Sequence, residues 1–356
     1  MNNPSLDFLI IGQGLAGSLL AWQLHQQNQK IMVIERPAPR STSRMAAGLI
    51  NPVTGKRLVK SPYLEQWLPR ARDTYRQLEQ QLGQEFFHEK PMLRLFRSKA
   101  DITAWEKRVN DPAYQPYLGA RTDNNSHATI KDTLGGFRQL QTGYLDTVAL
   151  LNAINQYFQQ QQISLCMDVS YDDIHINEDA VHLKNIQAQH IIFCEGYQAS
   201  INPWFNWLPF KAAKGEILTL KIDEDFGNEI INAGQWLLPL GNGLFKCGST
   251  YEWQTLDEQP TQAAGDTLMQ AASHLLRQEQ PPELIRHQAG VRPCTKDTMP
   301  FIGLHPQQPR LGIFNGFGSK GSLMIPYYAE QFSQHLQGRQ TPLAEADIKR
   351  YWNNDN

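Results

Sequence analysis

Residues 7–17 read DFLIIGQGLAG, an apolar segment that leads into the glycine pattern G-x-G-x-x-G. A second apolar segment, IMVIE at residues 31–35, follows about twenty residues later and ends in an acid. This order is typical of a strand, a tight turn, a helix and a second strand. Gly12 permits the tight turn, Gly14 lets the backbone approach a pyrophosphate, and Gly17 lets the helix pack closely on the strand.

The same stretch predicts a dinucleotide site. The helix that opens at Leu15 and Ala16 directs unpaired N–H groups and its positive dipole end at the pyrophosphate. Glu35 would accept hydrogen bonds from the two vicinal hydroxyls of an adenosine ribose. A glycine loop alone is weak evidence, but here the strand, the helix and the acid all stand in the expected order.

Composition predicts a globular protein, since the chain has 356 residues, of which 41% are hydrophobic and 19% are charged. This length is enough for two domains. No stretch reaches the roughly 18 apolar residues that a membrane helix needs. Residues 8–22 resemble a signal-peptide core, but no Lys or Arg precedes them. We therefore expect a cytoplasmic protein without a membrane partner.

Charge and cysteine content exclude several kinds of site. The net charge is −2 and no basic run occurs, which argues against a large nucleic-acid surface but leaves a small basic patch open. Cys166, Cys194, Cys247 and Cys294 match no zinc or C-x-x-C spacing. We expect reduced, mostly buried thiols and no metal site.

The pattern along the chain suggests that one domain is interrupted by another. Residues 36–55 have loop composition, and residues 63–82 have helical spacing. Residues 90–137 contain strand-like and turn-like pieces and form a different unit. A helix is predicted through residue 158, and the apolar residues 189–196 suit a strand of a parallel sheet.

The second half returns to short strands. Residues 214–252 predict antiparallel strands, including a hairpin around the turn 241–243. A helix is predicted at residues 262–276, and residues 290–328 contain strands, glycines and a final helix from Leu323. We infer that the sheet of a second domain is inserted into the dinucleotide domain.

Two glycine-containing segments near the end of the chain extend the binding site. Residues 290–303 read GVRPCTKDTMPFIG, and residues 316–321 read GFGSKG before an apolar helix. The second segment is a backbone N–H cradle for an anionic or carbonyl-rich ligand. A large flavin held across an interrupted domain accounts for glycine loops at both ends of the chain.

Together with Thr42-Ser43 and Ala47-Gly48-Leu49, these segments resemble the D-amino-acid oxidase superfamily of FAD enzymes. Within it the chain is similar to glycine oxidase and to the FAD domain of the bifunctional tRNA 5-methylaminomethyl-2-thiouridine enzyme. The resemblance covers nearly the whole chain and is weak from residue 86 to residue 140.

The resemblance implies an α/β fold, in which a Rossmann-like FAD-binding domain carries an inserted, mainly antiparallel β-sheet substrate domain. The discontinuous FAD-binding domain would comprise residues 1–85, 140–210 and 290–356. The substrate domain would comprise residues 86–139 and 211–289.

The resemblance also implies which residues hold FAD. They are Gly12, Gly14, Leu15, Ala16, Gly17, Glu35 and Arg36 at the pyrophosphate and ribose; Thr42, Ser43, Ala47, Gly48 and Leu49 beside the pyrophosphate and flavin; Val169 at the adenine; Gly196 after the third apolar strand; and Gly316, Phe317, Gly318, Ser319, Lys320 and Gly321 around the flavin pyrimidine.

Two basic residues are the implied catalytic residues. Arg292 matches the arginine that pairs with the substrate carboxylate in glycine oxidase, the alternative being a structural salt bridge. Lys246 matches a lysine of sarcosine oxidase that lies over the flavin and activates oxygen, the alternative being an ordinary solvated lysine. Four aromatic residues could wall a pocket or belong to the core: Tyr144, Trp236, Tyr251 and Trp253.

Two departures from the family pattern stand out. Residues 51–57 read NPVTGKR, a polar and basic insertion without an assigned role. Cys294 stands beside Arg292, which suggests a covalent flavin. The attaching cysteine of covalent sarcosine oxidases lies further upstream, nearer the place of Gly290. We therefore predict non-covalent FAD and a packing role for Cys294.

The predicted activity is oxidative dehydrogenation of a small amine or amino acid to an imine, with O2 as the electron acceptor, followed by hydrolysis. Two alternatives remain. One is oxidation of a carboxymethylaminomethyl-type tRNA uridine, which a basic face near Lys56, Arg57 and Lys60 would favour. The other is an FAD-binding protein without catalysis. An electron acceptor other than O2 is also left open.

Overall fold

The computed structural model describes residues 6–37, 41–223, 227–278 and 280–352. The outermost parts of the predicted FAD-binding domain, residues 1–5 and 353–356, lie outside these ranges. The helices are α1 Leu15–Gln26, α2 Thr42–Met45, α3 Leu64–Leu82, α4 Lys99–Val109, α5 Thr147–Gln160, α6 Gln262–Leu275 and α7 Gly321–Leu336, with short 3₁₀ helices at Tyr171–Asp173, Gly196–Ile201 and Ile348–Tyr351.

The strands form two large sheets, a small sheet and a hairpin. They are β1 Leu6–Ile11, β2 Ile31–Glu35, β3 Leu49–Ile50, β4 Val53–Thr54, β5 Val59–Lys60, β6 Phe87–Glu89, β7 Met92–Leu95, β8 Leu118–Thr122, β9 Gly136–Gln139, β10 Gly143–Leu145, β11 Ser164–Cys166, β12 Ile174–Ile176, β13 Val181–Leu183, β14 Ile186–Phe193, β15 Ala213–Lys221, β16 Ile230–Ala233, β17 Gln235–Gly241, β18 Leu244–Gly248, β19 Glu283–Arg292, β20 Phe301–Leu304 and β21 Leu311–Asn315.

The first large sheet is the dinucleotide-type sheet, with the order β11-β2-β1-β14-β13-β12 and with β21 and β20 attached beside β14. β1 runs parallel to β2 and β14, and β14 runs parallel to β21. In register, Ile11 lies beside both Ile34 and Phe193, and Phe193 lies beside Ile313. The loops after these four strands therefore converge at one edge of the sheet, where open α/β sheets bind ligands.

The turn from β1 into α1 depends on its glycines. Gly12 has φ +101°, and a Cβ there would lie 2.5 Å from the carbonyl oxygen of Cys194 on β14's side. A Cβ on Gly17 would lie 1.9 Å from the carbonyl oxygen of Gly12. Any larger residue at either place would push α1 away from the sheet. The glycines of the G-x-G-x-x-G pattern therefore determine how closely α1 packs on the sheet.

Helices cover the first sheet and bring distant parts of the chain together. Leu20 of α1, Trp67 of α3 and Phe332 of α7 belong to one buried cluster. The Tyr75 hydroxyl of α3 donates a hydrogen bond to the carbonyl oxygen of Ser322, 2.8 Å away. This bond fixes α3 against the first turn of α7, beside the second glycine turn.

The second large sheet has the order β19-β15-β18-β17-β16-β7-β9-β8. Its pairs are antiparallel except for β16 and β7, which run parallel. The pairing of β15 with β19 places Ala213 opposite Arg292. The mainly antiparallel sheet expected from the sequence is therefore present, and it carries the predicted catalytic arginine.

The strand pairing supports the predicted division into two domains, which we retain as a proposal. Strands of the second sheet come from residues 92–139 and 213–292. Two details differ from the predicted boundaries. β6 pairs with β10 in the small sheet instead of joining the second large sheet, and β19 continues past residue 289 to Arg292.

Two elements differ from the sequence-based expectation. Residues 90–137 contain the helix α4 in addition to strands, and the expected loop at residues 36–55 contains the short α2. No residue of α4 is fully buried, so its apolar periodicity is weak; Ile102 and Trp105 are only partly buried against the core. The available sequence signal was the N-cap, in which Ser98 accepts a hydrogen bond from the N–H of Asp101.

Within the described ranges, the structure has no helix long and apolar enough to cross a membrane.

Candidate active site

A cavity of about 760 Å³ lies between the two large sheets. On one side it is lined by the loops that follow β1, β2, β14 and β21. On the other side it is lined by side chains of the second sheet, including Ile217, Trp236 and Arg292.

Most of the predicted site residues line this cavity. They are Gly12, Gly14, Leu15, Ala16, Glu35, Arg36, Thr42, Ser43, Ala47, Gly48, Leu49, Val169, Gly196, Arg292, Phe317, Gly318, Ser319, Lys320 and Gly321. Gly17, Lys246 and Gly316 are not among the lining residues. Gly17 and Gly316 instead allow close packing, since a Cβ on Gly316 would lie 2.7 Å from the side chain of Thr295.

The N-terminus of α1 faces the cavity, which is lined there by Gly14, Leu15 and Ala16. The N–H of Leu15 donates to the Ser43 hydroxyl, 3.0 Å away, which holds α2 over the helix end. The buried side-chain amide nitrogen of Gln13 has no hydrogen-bond partner among the described residues, although Gln13 lines the cavity. The positive end of the dipole of α1 meets the cavity at these residues, which favours an anionic group there. The residues present therefore fit a phosphate-bearing cofactor.

Glu35 lies at the end of β2, where a ribose is expected. Its two carboxylate oxygens accept hydrogen bonds from the backbone N–H groups of Gln13 and Arg36, at 3.1 and 3.0 Å. Burial raises the pKa of this carboxyl above its ordinary value, although those hydrogen bonds oppose the shift. Each oxygen keeps a further lone pair, so the carboxylate can still accept from two hydroxyls.

The loops after β14 and β21 are joined by polar residues that sequence reasoning did not select. Glu195 accepts hydrogen bonds from the Tyr171 hydroxyl at 3.0 Å and from the Asn202 amide at 2.9 Å, and burial raises its pKa. The Asn315 amide nitrogen donates to the carbonyl oxygen of Gly196, 2.8 Å away. The available signal was that each of these polar residues ends an apolar run, IIFC before Glu195 and LGIF before Asn315.

The second glycine turn combines a helix N-terminus with a buried cation. Lys320 precedes α7 and lines the cavity, and its ammonium group donates to the Ser61 hydroxyl at 2.9 Å. Burial lowers the pKa of Lys320. The turn therefore presents two sources of positive potential to the cavity, which favours an anionic or carbonyl-rich group there.

The insertion at residues 51–57 forms part of the cavity wall. Asn51, Thr54 and Gly55 line the cavity, whereas the side chains of Lys56 and Arg57 are exposed. The insertion is fixed to the second sheet, since Arg94 and Gln139 donate to the carbonyl oxygen of Val53 at 3.2 and 3.1 Å. Burial lowers the pKa of Arg94 to about 10.

The planar guanidinium group of Arg292 is buried in the cavity wall. It is only 9% exposed, and its guanidinium carbon lies 4.4 Å from the ring centroid of Tyr251. A Cβ on Gly215 would lie 1.9 Å from Nη2 of Arg292, so the guanidinium also packs against that glycine. Nη1 donates to the carbonyl oxygen of Thr250 at 3.3 Å. Within the described ranges, no carboxylate lies within 4.0 Å of this guanidinium.

Lys246 lies behind the lining of the cavity. Its ammonium group donates to the carbonyl oxygen of Ala46 at 3.0 Å, and Ala46 itself lines the cavity. Burial lowers the pKa of Lys246. The predicted place over a flavin stays a prediction; in the structure, this side chain holds the loop that follows α2.

Of the four cysteines, which all lie in the described part of the chain, Cys194 lines the cavity beside the first glycine loop, and burial raises the pKa of its thiol. Cys294 does not line the cavity, and its thiol packs near Gly318, where an added Cβ would lie 3.3 Å from Sγ. Burial raises the pKa of the Cys294 thiol. No cluster of three metal-ligating side chains occurs among the residues described.

A parallel sheet with glycine loops and an acid at its strand ends, facing an inserted antiparallel sheet, defines a dinucleotide-type flavoprotein fold. Residues 7–335 match the family model DAO, described as FAD dependent oxidoreductase. The chain therefore belongs to the DAO family of FAD-dependent oxidoreductases, and FAD is its cofactor.

Curated relatives and a solved structure agree with this family. Glycine oxidase from Pseudomonas aeruginosa is 22% identical over 354 residues, covering 93% of this chain and 95% of that enzyme. The tRNA 5-methylaminomethyl-2-thiouridine biosynthesis bifunctional protein from Legionella pneumophila is 22% identical over 361 residues, covering 90% of this chain and 53% of that protein. The crystal structure of glycine oxidase from Geobacillus kaustophilus has a TM-score of 0.84 at 18% identity, covering 98% of this chain and 100% of that one. That last similarity establishes the fold.

Proposed function

We propose that this protein oxidises the C–N bond of a small amino acid or carboxylate-bearing amine to an imine. The observation that carries the proposal is Arg292, a buried guanidinium in the cavity wall with no carboxylate from the described residues within 4.0 Å. A buried arginine is costly without an anion. A substrate carboxylate would supply that anion through two parallel hydrogen bonds.

Bound FAD supplies the redox chemistry by accepting two electrons as hydride equivalents from the carbon next to nitrogen. The protein's task is to hold that carbon in a reactive orientation. Arg292 would fix the carboxylate end of the substrate. Ile217 and Trp236 would exclude water from the same side of the cavity. The released imine then adds water and yields a carbonyl compound and an amine or ammonia.

We further propose that FAD is held without a covalent bond. The first glycine loop would bind the pyrophosphate, Glu35 the ribose, and the turn at residues 316–321 the flavin pyrimidine. The position of Cys294 outside the cavity lining supports this proposal, and Cys194, which lines the cavity, lies against the first glycine loop, the place proposed for the pyrophosphate. Acid precipitation should release the yellow colour into the supernatant, and colour that stays in the pellet would contradict it.

The proposed electron acceptor is O2, with Lys246 as the residue that favours its reduction. Lys246 does not line the cavity itself and donates a hydrogen bond to the lining residue Ala46, so its effect would be electrostatic. A positive charge near the flavin would stabilise negative charge as it develops on oxygen.

An anaerobic screen tests the proposed activity. The purified yellow protein is mixed with amino acids, N-alkyl glycines and their carboxylate-free amine counterparts, and the oxidised flavin absorbance is followed. We expect carboxylate-bearing amines to bleach the flavin at lower concentrations than their counterparts. Failure of every amine to bleach it would contradict the proposal and would favour the FAD-binding protein without catalysis.

A second candidate is oxidation of a carboxymethylaminomethyl-type uridine in tRNA. The exposed side chains of Lys56 and Arg57 favour it, because they adjoin the cavity-lining Gly55. Lys60 contributes less positive charge to this basic face than the sequence suggests, since its ammonium group pairs with Glu65 at 2.5 Å. Anaerobic bleaching of the flavin by tRNA carrying this modification, without bleaching by any free amine, would make this the preferred function.

A further inference from the structure

Two aromatic side chains lie together where the cavity meets solvent. Tyr251 lines the cavity and is 49% exposed, and Trp253 is 57% exposed. Their ring centroids are 6.0 Å apart, with an angle of 27° between the ring planes. We call this pair the aromatic platform. Tyr and Trp are enriched at binding interfaces, because each combines a large apolar ring with a polar group.

The chain that carries the platform is fixed to the second sheet at its start. The backbone of Glu252 forms two hydrogen bonds with that of Lys214, at 2.8 and 3.0 Å. The N–H of Glu216 donates to the Thr250 hydroxyl at 2.9 Å. These bonds flank Tyr251 on both sides in sequence, so its ring stays over the cavity edge.

The remainder of this segment is fixed by buried charge. The Lys214 side chain is 1% exposed, and its ammonium group contacts Asp257 at 2.5 Å. Both the N–H and the hydroxyl of Thr261 donate to the buried carboxylate of Glu216 at 2.9 Å. The two exposed rings of the platform therefore lie on a segment that hydrogen bonds and an ion pair fix to the second sheet.

The platform adjoins the proposed carboxylate site directly. The guanidinium carbon of Arg292 lies 4.4 Å from the ring centroid of Tyr251. A substrate whose carboxylate contacts Arg292 therefore has the platform beside it on the solvent side. A planar group stacked there would also shield Arg292 from water, which strengthens the attraction between the guanidinium and the carboxylate.

We propose that the aromatic platform is a substrate subsite for a planar aromatic or heteroaromatic group. The substrate class would then be an amino acid whose nitrogen or side chain carries such a ring. This inference rests on the proposed function, because the position of the ring is set by a carboxylate on Arg292. A substrate as small as glycine would leave the platform uncovered.

Two unreactive thioether acids test the subsite in the FAD-loaded protein. (Methylthio)acetate and (benzylthio)acetate have sulfur in place of the amine nitrogen and differ in the ring. Their Kd values are measured from the change in flavin absorbance on binding, without turnover. We expect the benzyl compound to bind about tenfold more tightly, as stacking on an aromatic side chain provides.

Substitutions test whether the platform causes the tighter binding of the benzyl compound. Trp253→Ala should reduce the ratio of the two Kd values to near one and leave the Kd of (methylthio)acetate unchanged. Trp253→Phe should keep part of the preference. Leu284→Ala is the matched control, because Leu284 is 49% exposed on β19 and does not line the cavity; it should change neither Kd.

The outcomes distinguish this inference from the proposed function. Equal binding of the two compounds, or a ring preference that survives Trp253→Ala, overturns the platform but leaves the carboxylate site standing if Arg292→Ala abolishes binding of (methylthio)acetate. Absence of binding by both compounds overturns both proposals.

Discussion

Gly215 and Arg292 lie on adjacent strands so close together that the guanidinium occupies the space of the missing side chain. A Cβ on Gly215 would lie within 1.9 to 2.3 Å of Nη2, Cζ and Nη1 of Arg292. The Tyr251 ring centroid lies 4.4 Å from Cζ, so the guanidinium is confined by contacts with both a glycine and an aromatic face. This confinement restricts the direction in which Arg292 can bind an anion.

Gly215→Ala should move the guanidinium without unfolding the protein, because the atoms that must shift are the end of a long side chain. We expect KM for a carboxylate-bearing amine to rise about tenfold or more, since a small misplacement of a positioning group is costly. Oxidation of the matching amine without a carboxylate is the control and should change little. Unchanged KM for both would show that the confinement has no role in binding.

Glu35→Gln should weaken FAD binding. The variant loses charge-assisted hydrogen bonds to the ribose, each worth about 1.5 to 3 kcal/mol, so we expect Kd for FAD to rise at least tenfold. Equilibrium dialysis followed by absorbance measures this. Retention of FAD at wild-type affinity would contradict the ribose role.

The apoprotein provides a separate test of Glu35. The pKa of the Glu35 carboxyl is raised in the folded state, mainly by burial. The contribution of Glu35 to stability is therefore present at acidic pH and is lost as pH rises through the raised pKa. We therefore expect the Tm of the Glu35→Gln apoprotein, relative to wild type, to increase from acidic to neutral pH. A difference in Tm that does not depend on pH would contradict this.

Lys246→Met should slow reoxidation of the reduced protein by O2 much more than reduction by substrate. Burial lowers the pKa of Lys246, so its charge is lost at lower pH than for an ordinary lysine. The wild-type reoxidation rate should therefore fall as pH rises through this lowered pKa, and the variant should lack that dependence. Stopped-flow absorbance gives both rates. Equal reoxidation rates would leave Lys246 only the role of holding Ala46.

Lys320→Met should lower the affinity for FAD and make the reduction potential of bound flavin more negative. A cation beside the flavin pyrimidine favours the added negative charge of the reduced cofactor. Ser61→Ala is the matched control, because it removes the 2.9 Å contact with the ammonium group but keeps the charge. If the two variants shift the potential equally, the charge of Lys320 has no special role.

The fold could be predicted where the signal is local. The fingerprint at residues 7–17 and the acid of Glu35 impose backbone constraints that few other arrangements satisfy. The antiparallel hairpin of β17 and β18 could also be predicted, because its turn is short and rich in glycine.

Parts of the candidate site depend on long-range register and could not be predicted. Gly215 and Arg292 are brought together only by the pairing of β15 with β19. The orphaned amide of Gln13 becomes apparent only after burial is known. The insertion at residues 51–57 departs from the family pattern in sequence, but its place in the cavity wall depends on the contacts of Arg94 and Gln139, which lie on distant strands.

The central claim is that Arg292 binds the carboxylate of the substrate, and anaerobic stopped-flow reduction of the Arg292→Ala flavoprotein tests it most directly. The apparent Kd for a carboxylate-bearing amine should rise by about 10² to 10³, equivalent to roughly 3 to 4 kcal/mol, and that for the matching carboxylate-free amine should hardly change. Arg292→Lys should recover only part of the loss, because a point charge cannot replace the two-pronged guanidinium. An equal loss for both amines in Arg292→Ala would contradict the account and make Arg292 a structural residue.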